Sequence, residues 1–285
     1  MLPFLKWAGG KRWLFESQQY SLPFFTGTYF EPFLGGGAVF FNTLPNRSHL
    51  SDTNKYLIET YQSIKENPHN VEKLLKNHAN SHNKDYYYTI RSKNYDNKYE
   101  RSAKFIYLNR TCWNGLYREN QKGEFNVPIG TKDTVIFGND DFSSWSNAMK
   151  NSEIVAEDFE NSINRSKEGD FIFADPPYTV KHNMNGFVKY NQHIFAWEDQ
   201  VRLRDSLKRA YERGVTFALT NADHESIRDL YSDFPPPRQL SRYSVISGKA
   251  QYRSQSTELL VIGTPFPKLH NEMQDQAESP EIVGA

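Results

Sequence analysis

The chain has 285 residues, 34 Lys and Arg against 34 Asp and Glu, and a single cysteine, Cys112. This length suffices for one sizeable core, with or without an inserted segment. One cysteine excludes an intramolecular disulfide framework and a cysteine-based metal cluster. No apolar run approaches the roughly 20 residues that cross a bilayer, and the first residues lack the apolar core of a signal peptide. We therefore expect a soluble, cytoplasmic protein without a membrane partner.

The positive charge is grouped along the chain although the formal net charge is zero. Residues 84–132 hold ten Lys or Arg and five Asp or Glu, and residues 238–253 hold four basic residues and no acidic one. Neither segment alone identifies a partner, because solvated helix faces are often basic. The tail, residues 268–285, has one lysine and four acidic residues. It contains few apolar residues, so we predict that it is disordered.

Short apolar or β-branched runs alternate with helical patterns, which is typical of an α/β fold with a parallel sheet. The predicted strands are Thr28–Glu31, His49–Asp52, Glu153–Asp158, Asp170–Ala174, Val215–Thr220, Arg242–Ser247 and Glu258–Gly263. The last two are separated by only ten residues, 248–257, which predicts an antiparallel hairpin. Five strands with crossover connections and a terminal hairpin predict a Rossmann-like sheet.

Residues 56–142 interrupt this alternation. The stretch is polar and rich in Asn and Tyr, and its second half carries a basic loop that contains glycines. We interpret it as an inserted, mostly helical domain. The sheet domain would then comprise residues 1–55 and 143–267, followed by the tail.

The most informative motif is Asp175-Pro176-Pro177-Tyr178, directly after the apolar run Phe171–Ala174. Each proline fixes φ and lacks a backbone donor, so the carbonyls of Asp175 and Pro176 are left pointing outward as acceptors. A carboxylate oxygen beside a fixed carbonyl can accept both hydrogens of one amino group, and Tyr178 offers a flat face to a planar base. The motif predicts a site for an exocyclic base nitrogen, although Asp-Pro-Pro also begins ordinary loops.

A glycine-rich turn, Glu31–Gly37, follows the first predicted strand. Phe40 stands where the dinucleotide fingerprint needs its third glycine, and Arg12 follows Gly9-Gly10-Lys11 where a Walker A motif needs Ser or Thr. Pyrophosphate binding is therefore disfavoured. Asp52, at the end of the next strand, is placed to accept from ribose hydroxyls. These features are compatible with a nucleoside cofactor and also with a purely structural turn.

Taken together, these residues resemble the Dam-type DNA adenine methyltransferases. The resemblance is carried by Lys6–Lys11, Glu31–Gly37, Asp52, Asp175–Tyr178 and residues 105–130. The last segment is the most specific part, with Tyr107–Arg110, Trp113–Arg118 and Gly123–Pro128, and the match extends to about Pro265. It implies a seven-stranded S-adenosyl-methionine-dependent methyltransferase sheet, with residues 1–55 and 143–267 as the catalytic domain and residues 56–142 as the inserted target-recognition domain.

The resemblance also implies roles for individual residues. Asp175, Pro176, Pro177 and Tyr178 would be catalytic. Contacts with S-adenosyl-L-methionine would come from Trp7, Lys11, Glu31, Phe33, Gly35, Gly37, Asp52, Asp158, Phe159 and Asp175. DNA would be bound by Lys6, Arg110, Trp113, Asn114, Leu116, Arg118 and Pro128. Trp113 matches an aromatic residue, usually tyrosine in the family, that wedges into the duplex.

The implied function is methyl transfer to the N6 amino group of adenine in double-stranded DNA at GATC, by base flipping and direct in-line transfer. No metal and no obligate protein partner are expected. Three alternatives stay open: amino methylation of RNA or of a glutamine amide, a longer DNA site that contains GAT, and a catalytically inactive DNA-binding protein. The basic, aromatic insert and Asp rather than Asn at position 175 favour duplex DNA.

Overall fold

A seven-stranded sheet forms the centre of the protein. The computed structural model describes residues 1–16, 20–120, 124–181, 195–243 and 255–265. The strand order is β3-β2-β1-β4-β5-β7-β6. The strands are β1 (Tyr29–Glu31), β2 (Ser48–Asp52), β3 (Ser152–Ala156), β4 (Phe171–Ala174), β5 (Thr216–Ala222), β6 (Arg238–Tyr243) and β7 (Gln255–Gly263). Strands β1 to β5 are parallel, and β7 runs antiparallel to both β5 and β6.

Every predicted strand overlaps an observed one. Several boundaries differ, and β7 begins at Gln255 rather than at Glu258. Strand β6 begins at Arg238 rather than at Arg242, because Pro235–Pro237 end the preceding loop and the first residue after them can join the ladder with β7. The predicted end of that strand, residues 244–247, and the tail, residues 268–285, lie outside the described residues. Strand β3 ends at Ala156, so Asp158 does not end a strand but is the N-cap of the following helix.

Helices cover both faces of the sheet. In chain order they are α1 (Arg12–Glu16), α2 (Ala38–Thr43), α3 (Lys55–Glu66), α4 (Pro68–Ser81), α5 (Lys84–Ser92), α6 (Lys98–Thr111), α7 (Phe142–Ala148), α8 (Phe159–Asn164), α9 (Trp197–Glu212) and α10 (Glu225–Leu230). Helices α3 to α6 lie between β2 and β3 in sequence, where a mostly helical segment is predicted. None of the described helices combines the length and the apolar character that a bilayer crossing requires.

The asparagines of this segment have a structural role. Asn54, Asn67, Asn83 and Asn97 are the N-caps of α3, α4, α5 and α6, and the side chain of each accepts a hydrogen bond from a backbone N–H of the first turn. Pro68 occupies the first position of α4, where its missing N–H leaves no bond unmade. Capping thus starts four helices in a polar stretch.

Side chains of the sheet alternate between two apolar layers. Along β4, Phe171 and Phe173 enter the layer that packs against α2, α3 and α6, whereas Ile172 and Ala174 enter the layer that packs against α8 and α9. The same alternation fixes which residues at the strand ends share a face.

A network of buried hydrogen bonds connects the N-terminal segment to the end of α6. The Asn109 side chain donates to the carbonyl of Lys6 (2.7 Å) and accepts from its backbone N–H (2.9 Å). The Arg110 guanidinium donates twice to the carbonyl of Phe4 (3.1 and 2.9 Å), once to that of Val135 (2.9 Å) and in a bidentate pair to Asp140. Together these bonds use all five of its N–H donors.

The structure contradicts the predicted DNA contact of Arg110. The residue is 1% exposed, and its bonded donors leave nothing to offer a base or a phosphate. Its charge is neutralised inside the protein by Asp140, so Arg110 is a structural residue.

Candidate active site

Asp175 lies at the carboxyl edge of the sheet, directly after β4. Its Oδ1 atom accepts from Lys11 Nζ (2.8 Å) and from Thr220 Oγ1 (2.7 Å), the latter on the neighbouring strand β5. No described residue donates to the other oxygen, Oδ2. Burial raises the pKa of Asp175, and the bonds from Lys11 and Thr220 oppose that rise. The carboxylate is therefore held in one orientation with one oxygen open to a further donor.

Tyr178 is held next to this carboxylate. Its hydroxyl donates to Glu258 Oε2 (2.6 Å), and the ammonium of Lys11 lies 3.5 Å from the same oxygen and 4.9 Å from the centre of the Tyr178 ring. Burial raises the pKa of Tyr178 well above its ordinary value, so the phenol stays a neutral donor. We call Lys11, Asp175, Tyr178, Thr220 and Glu258 the lysine cluster.

The two prolines of the motif lie between Asp175 and Tyr178 in sequence. Pro176 is buried, and among the described residues none donates a hydrogen bond to its carbonyl. The carbonyl of Pro177 accepts from the Gln200 side chain (3.5 Å). Oδ2 of Asp175 and the carbonyl of Pro176 are thus two acceptors without a described donor, one residue apart in sequence.

Side-chain alternation places the acidic groups on one face of the sheet. Asp175 follows Phe173 by two residues, and Thr220 follows Ala218 by two, so both point into the layer of α2 and α3. Glu258 reaches them from the opposite direction. Strand β7 is antiparallel, so its first residues lie beside the last residues of β5, and Glu258 pairs with Ala222.

Thr220 and Glu258 are functional candidates that sequence reasoning missed. A signal was present for both. Thr220 ends the predicted strand next to that of Asp175, and Glu258 is a single charge in front of the apolar run Leu259–Ile262. An antiparallel last strand brings its first residue to the carboxyl edge of its parallel neighbours.

The glycine turn after β1 is shaped around Trp7. A Cβ added at Gly35 would lie 2.7 Å from the Trp7 indole, and Gly35 also has a φ of 46°, so no larger residue fits there. The N–H of Gly35 donates to Asp52 Oδ2 (3.0 Å), and that of Asn54 donates to Asp52 Oδ1 (3.0 Å). Burial raises the pKa of Asp52. The structure thus brings together Trp7, the glycine turn and Asp52.

Glu31 ends β1 as a buried carboxyl group. Its Oε2 atom accepts from the Tyr29 hydroxyl (2.7 Å) and from the backbone N–H of Phe40 (3.1 Å). Burial raises the pKa of Glu31 to about 8, despite the bond from Tyr29 that lowers it; the negative charge of Asp175 contributes to the rise. At neutral pH, Glu31 is therefore mostly protonated.

Asp158 and Phe159 lie beyond β3, at the start of α8. Asp158 Oδ1 accepts from the N–H of Glu160 (2.9 Å) and from Arg202 Nη2 (2.6 Å), so this carboxylate is bound to a cation of α9. The Phe159 ring stacks on Phe33 (5.3 Å between centroids) and lies beneath the Arg202 guanidinium (4.6 Å). Phe33 and Phe159 are thus neighbours, and Arg202 is a further residue that the sequence did not indicate.

Five of the predicted DNA contacts share one exposed loop. Residues 112–120 and 124–130 are joined by the bridges Cys112–Ile129 and Glu119–Phe125, and we call them the recognition loop. Trp113 is 50% exposed and Leu116 is 37% exposed. The exposed side chains of this loop that the sequence predicts on DNA are Trp113, Asn114, Leu116, Arg118 and Pro128. Arg118 Nε donates to the Asn126 side chain (2.9 Å), and no described residue accepts a hydrogen bond from its two terminal nitrogens.

The recognition loop contacts the segment before α1. Tyr117 stacks on Trp7, with 5.7 Å between centroids and 18° between planes. Lys6 donates to the carbonyl of Arg110 (3.1 Å), and a Cβ added at Gly115 would lie 2.8 Å from the Lys6 side chain. Burial lowers the pKa of Lys6, and the positive charge of Lys132 lowers it further. Residues 6–11 therefore run from the recognition loop to the lysine cluster.

Comparison with known proteins identifies the family. The family model for the D12 class of N6 adenine-specific DNA methyltransferases matches residues 7–253. The type II methyltransferase M1.LlaDCHI of Lactococcus lactis subsp. cremoris is 37% identical over 268 residues, which cover 91% of this chain and 94% of the relative. The type II methyltransferase M.MjaIII of Methanocaldococcus jannaschii is 35% identical over 77% of this chain and 84% of its own. The DNA adenine methylase of Vibrio cholerae serotype O1 is 33% identical, over 92% and 96%.

The match to the family model, residues 7–253, spans the glycine turn, the recognition loop and the Asp-Pro-Pro-Tyr motif. The chain belongs to the D12 class of N6 adenine-specific DNA methyltransferases.

Proposed function

We propose that the protein transfers a methyl group from S-adenosyl-L-methionine to the N6 amino group of adenine in double-stranded DNA, at GATC. The observation that carries the proposal is the orientation of Asp175. Lys11 and Thr220 hold its Oδ1 atom, while Oδ2 and the neighbouring Pro176 carbonyl have no described donor. An exocyclic amino group has two hydrogens, which is the number that these two acceptors can receive.

The residues of the chain act on the amino group by placement. The N6 lone pair is conjugated with the purine and is a poor nucleophile. Hydrogen bonds to Asp175 Oδ2 and the Pro176 carbonyl favour a pyramidal nitrogen, whose lone pair is then directed out of the ring plane. When bound, the cofactor supplies an electrophilic methyl group on a sulfonium. Fixed acceptors lower the barrier because they need no reorganisation when charge develops at nitrogen.

The electrostatics of the site suit a cationic cofactor. Glu31, Asp52 and Asp175 end the adjacent strands β1, β2 and β4, and burial raises the pKa of each. Neighbouring carboxyl groups of this kind are stabilised by a positively charged ligand. S-adenosyl-L-methionine carries a sulfonium and an ammonium. Asp52 would accept from its ribose, Trp7 and the glycine turn would line its methionine, and Asp158 and Phe33 would lie at its adenine.

A target adenine has to leave the duplex to reach this site. Tyr178 would stack on the flipped base, since its ring is fixed by Glu258 at one end and by Lys11 at one face. Trp113 is the exposed aromatic of the recognition loop, and its indole could occupy the vacated stack. This arrangement favours duplex DNA over a free amide as the substrate.

The proposed sequence, GATC, rests on four side chains around the recognition loop. Arg118 has the fork geometry that reads the two major-groove acceptors of guanine, and Lys6 is a point donor for another guanine. Leu116 and Pro128 are exposed apolar groups that suit a thymine methyl. A longer site that contains GAT is the second candidate, because the outer base pairs could be read by other parts of the loop.

Expression in a host without DNA methylation tests the function directly. Single-molecule sequencing of the host DNA should detect N6-methyladenine in GATC and nowhere else. The Asp175→Ala variant, expressed to the same level, is the control for residual host activity. Tritium transfer by the purified protein to RNA and to protein would measure the alternative substrates. Methylation confined to another motif would refute the proposed sequence but leave the proposed chemistry standing.

The Arg118→Ala variant should lose discrimination at one base pair. We expect the binding free energy for the cognate duplex to weaken by about 1–3 kcal/mol. The difference in binding free energy between cognate duplexes and duplexes substituted at that base pair should become smaller. Lys132→Ala is the matched control, because Lys132 is exposed and close to Lys6 but has no fork geometry. Lys132→Ala should weaken binding to all DNA sequences equally and reduce the salt dependence of the affinity. Fluorescence anisotropy with one duplex per substituted base pair measures both, and equal losses on all duplexes for Arg118→Ala would contradict the assignment.

Cofactor binding should release a proton from Glu31. The pKa of Glu31 is raised to about 8 by burial, and a cation bound beside the carboxyl lowers it, so binding at pH 7 should release most of one proton. Affinity should then rise with pH up to about 8. Isothermal titration in buffers with different ionisation enthalpies measures the released proton. Glu31→Gln should abolish most of it, and an unchanged release in that variant would exclude Glu31 as its source.

A further inference from the structure

We infer that Glu258 is a positioning residue for methyl transfer, which holds the Tyr178 ring through its hydroxyl and shares the Lys11 ammonium with Asp175. The inference rests on the proposed function, because it concerns the geometry of the same site. Glu258 lies outside the Asp-Pro-Pro-Tyr motif and on the last strand of the sheet.

The contacts place Glu258 behind the reacting groups. It is 5% exposed, and its Oε2 atom accepts the Tyr178 hydroxyl at 2.6 Å. Asp175 and Tyr178 stand between Glu258 and an incoming base in the proposed geometry. Glu258 would therefore influence the reaction through these two residues and not through contact with the substrate.

The hydroxyl bond fixes the aromatic ring. Tyr178 follows two prolines whose φ angles are restricted, so the backbone aims the side chain and the bond to Glu258 fixes its far end. Lys11 lies over the same ring at 4.9 Å. A ring fixed at both ends is prepared to stack on a base without loss of further rotational freedom.

The charge of Glu258 bears on the acceptor strength of Asp175. Lys11 Nζ is 2.8 Å from Asp175 Oδ1 and 3.5 Å from Glu258 Oε2, so one ammonium serves two carboxylates. If position 258 were neutral, Lys11 would bind Asp175 alone and draw negative charge away from Oδ2. The negative charge of Glu258 also acts to raise the pKa of Asp175. Glu258 thus keeps Asp175 a stronger hydrogen-bond acceptor.

Among the described residues, the charged and titratable groups around Asp175 come from four parts of the fold. Lys11 precedes α1, Tyr178 follows β4, Glu258 lies on β7, and Glu31 ends β1. Thr220 of β5 adds a neutral donor. Of the two carboxylates other than Asp175, Glu258 is the one in contact with both Lys11 and Tyr178 in the described chain, so it is the one to substitute.

Two substitutions separate the effect of the Glu258 charge from the effect of its side-chain length. Glu258→Gln removes the charge and keeps an acceptor for Tyr178, whereas Glu258→Asp keeps the charge and withdraws it by one methylene. The rate is the single-turnover transfer of tritiated methyl to unmethylated genomic DNA, measured from pH 5 to 9. Glu225→Gln, an exposed change of the same kind on α10, is the matched control.

We expect Glu258→Gln to lower the single-turnover rate about 10- to 100-fold. The acidic limb of its pH profile should move to lower pH, because Asp175 loses a negative neighbour and its pKa falls. Glu258→Asp should lower the rate and leave the acidic limb near that of the wild type. The affinities for cofactor and DNA should stay within about three-fold in both variants, and Glu225→Gln should match the wild type in every measurement.

Three outcomes would overturn the inference. The first is that Glu258→Gln transfers methyl at the wild-type single-turnover rate and that the acidic limb of its pH profile stays at the wild-type position. Another is a lower rate with an unmoved limb and a lower melting temperature, which a merely structural role would produce. If Glu258→Gln does not fold, a wild-type single-turnover rate in Glu258→Asp would by itself overturn the inference. The wild-type protein is assayed first, so absence of transfer there would refute the proposed function and not the role of Glu258.

Discussion

Replacement of Asp175 by alanine should lower the single-turnover rate of methyl transfer at least about 10³-fold while DNA affinity stays within about three-fold. The carboxylate lies at the end of β4, with Oδ2 open, and touches no exposed residue of the recognition loop in the described structure. Its removal takes away the proposed acceptor for the amino group and leaves in place the side chains that we propose to contact DNA. Tritium transfer and fluorescence anisotropy measure the two quantities on the same preparation.

Asp175→Asn is the informative control. The amide keeps the size of the side chain and one acceptor oxygen, so its rate should lie between those of the wild type and of Asp175→Ala. Neither variant should unfold the protein, because Lys11 keeps Glu258 as a counter-charge at 3.5 Å. A rate near that of the wild type in folded Asp175→Ala would refute the mechanism, and a parallel loss of DNA affinity would move Asp175 into the DNA interface.

Replacement of Arg110 by alanine should destabilise the protein by about 3–5 kcal/mol, which is the usual range when one partner of a buried ion pair is removed. Asp140 would keep a charge without its bidentate partner, and the carbonyls of Phe4 and Val135 would lose their donors. Urea denaturation, followed by circular dichroism, measures the free energy of unfolding.

Arg118→Ala is the matched control for this loss. Arg118 is the exposed arginine of the recognition loop, and its removal should change the free energy of unfolding by less than about 0.5 kcal/mol. The two arginines lie eight residues apart in sequence, and their substitutions should have different effects. Arg110→Ala should lower stability, whereas Arg118→Ala should change DNA recognition. A loss below about 1 kcal/mol in Arg110→Ala would show that water replaces its bonds, and would reopen a direct role in DNA binding.

The sequence was sufficient for the course of the sheet and for Asp175 and Asp52 at its carboxyl edge, but not for Thr220 and Glu258 beside them. The strand Phe171–Ala174 is apolar throughout because both of its faces are buried, so its end is sharp and the position of Asp175 follows from it. The start of β6 was misplaced because its side chains alternate weakly between polar and apolar. There the prolines before Arg238 were the better boundary signal.

Residues whose role depends on contacts across the chain were not predictable in the same way. Arg110 stands in a basic segment that resembles a DNA-binding loop, but its partners Phe4 and Asp140 are distant in sequence, and burial reverses its role. Glu258 had a local signal, a single charge before an apolar run, but its place beside Asp175 depends on the register of β7 against β5. Resemblance assigned Arg110 by position, whereas its accessibility is set by packing.

The position of β7 between β5 and β6 has a consequence for biosynthesis. During translation β6 emerges from the ribosome before β7, yet it has no strand partner until β7 enters between it and β5. Until then the edge of β5 presents unpaired backbone groups to other chains. Lys11 and Asp175 are already synthesised at that stage, but Glu258 arrives only with β7. The nascent protein therefore closes its sheet and completes its lysine cluster in one late step, and chains stalled before β7 should be both inactive and prone to aggregate.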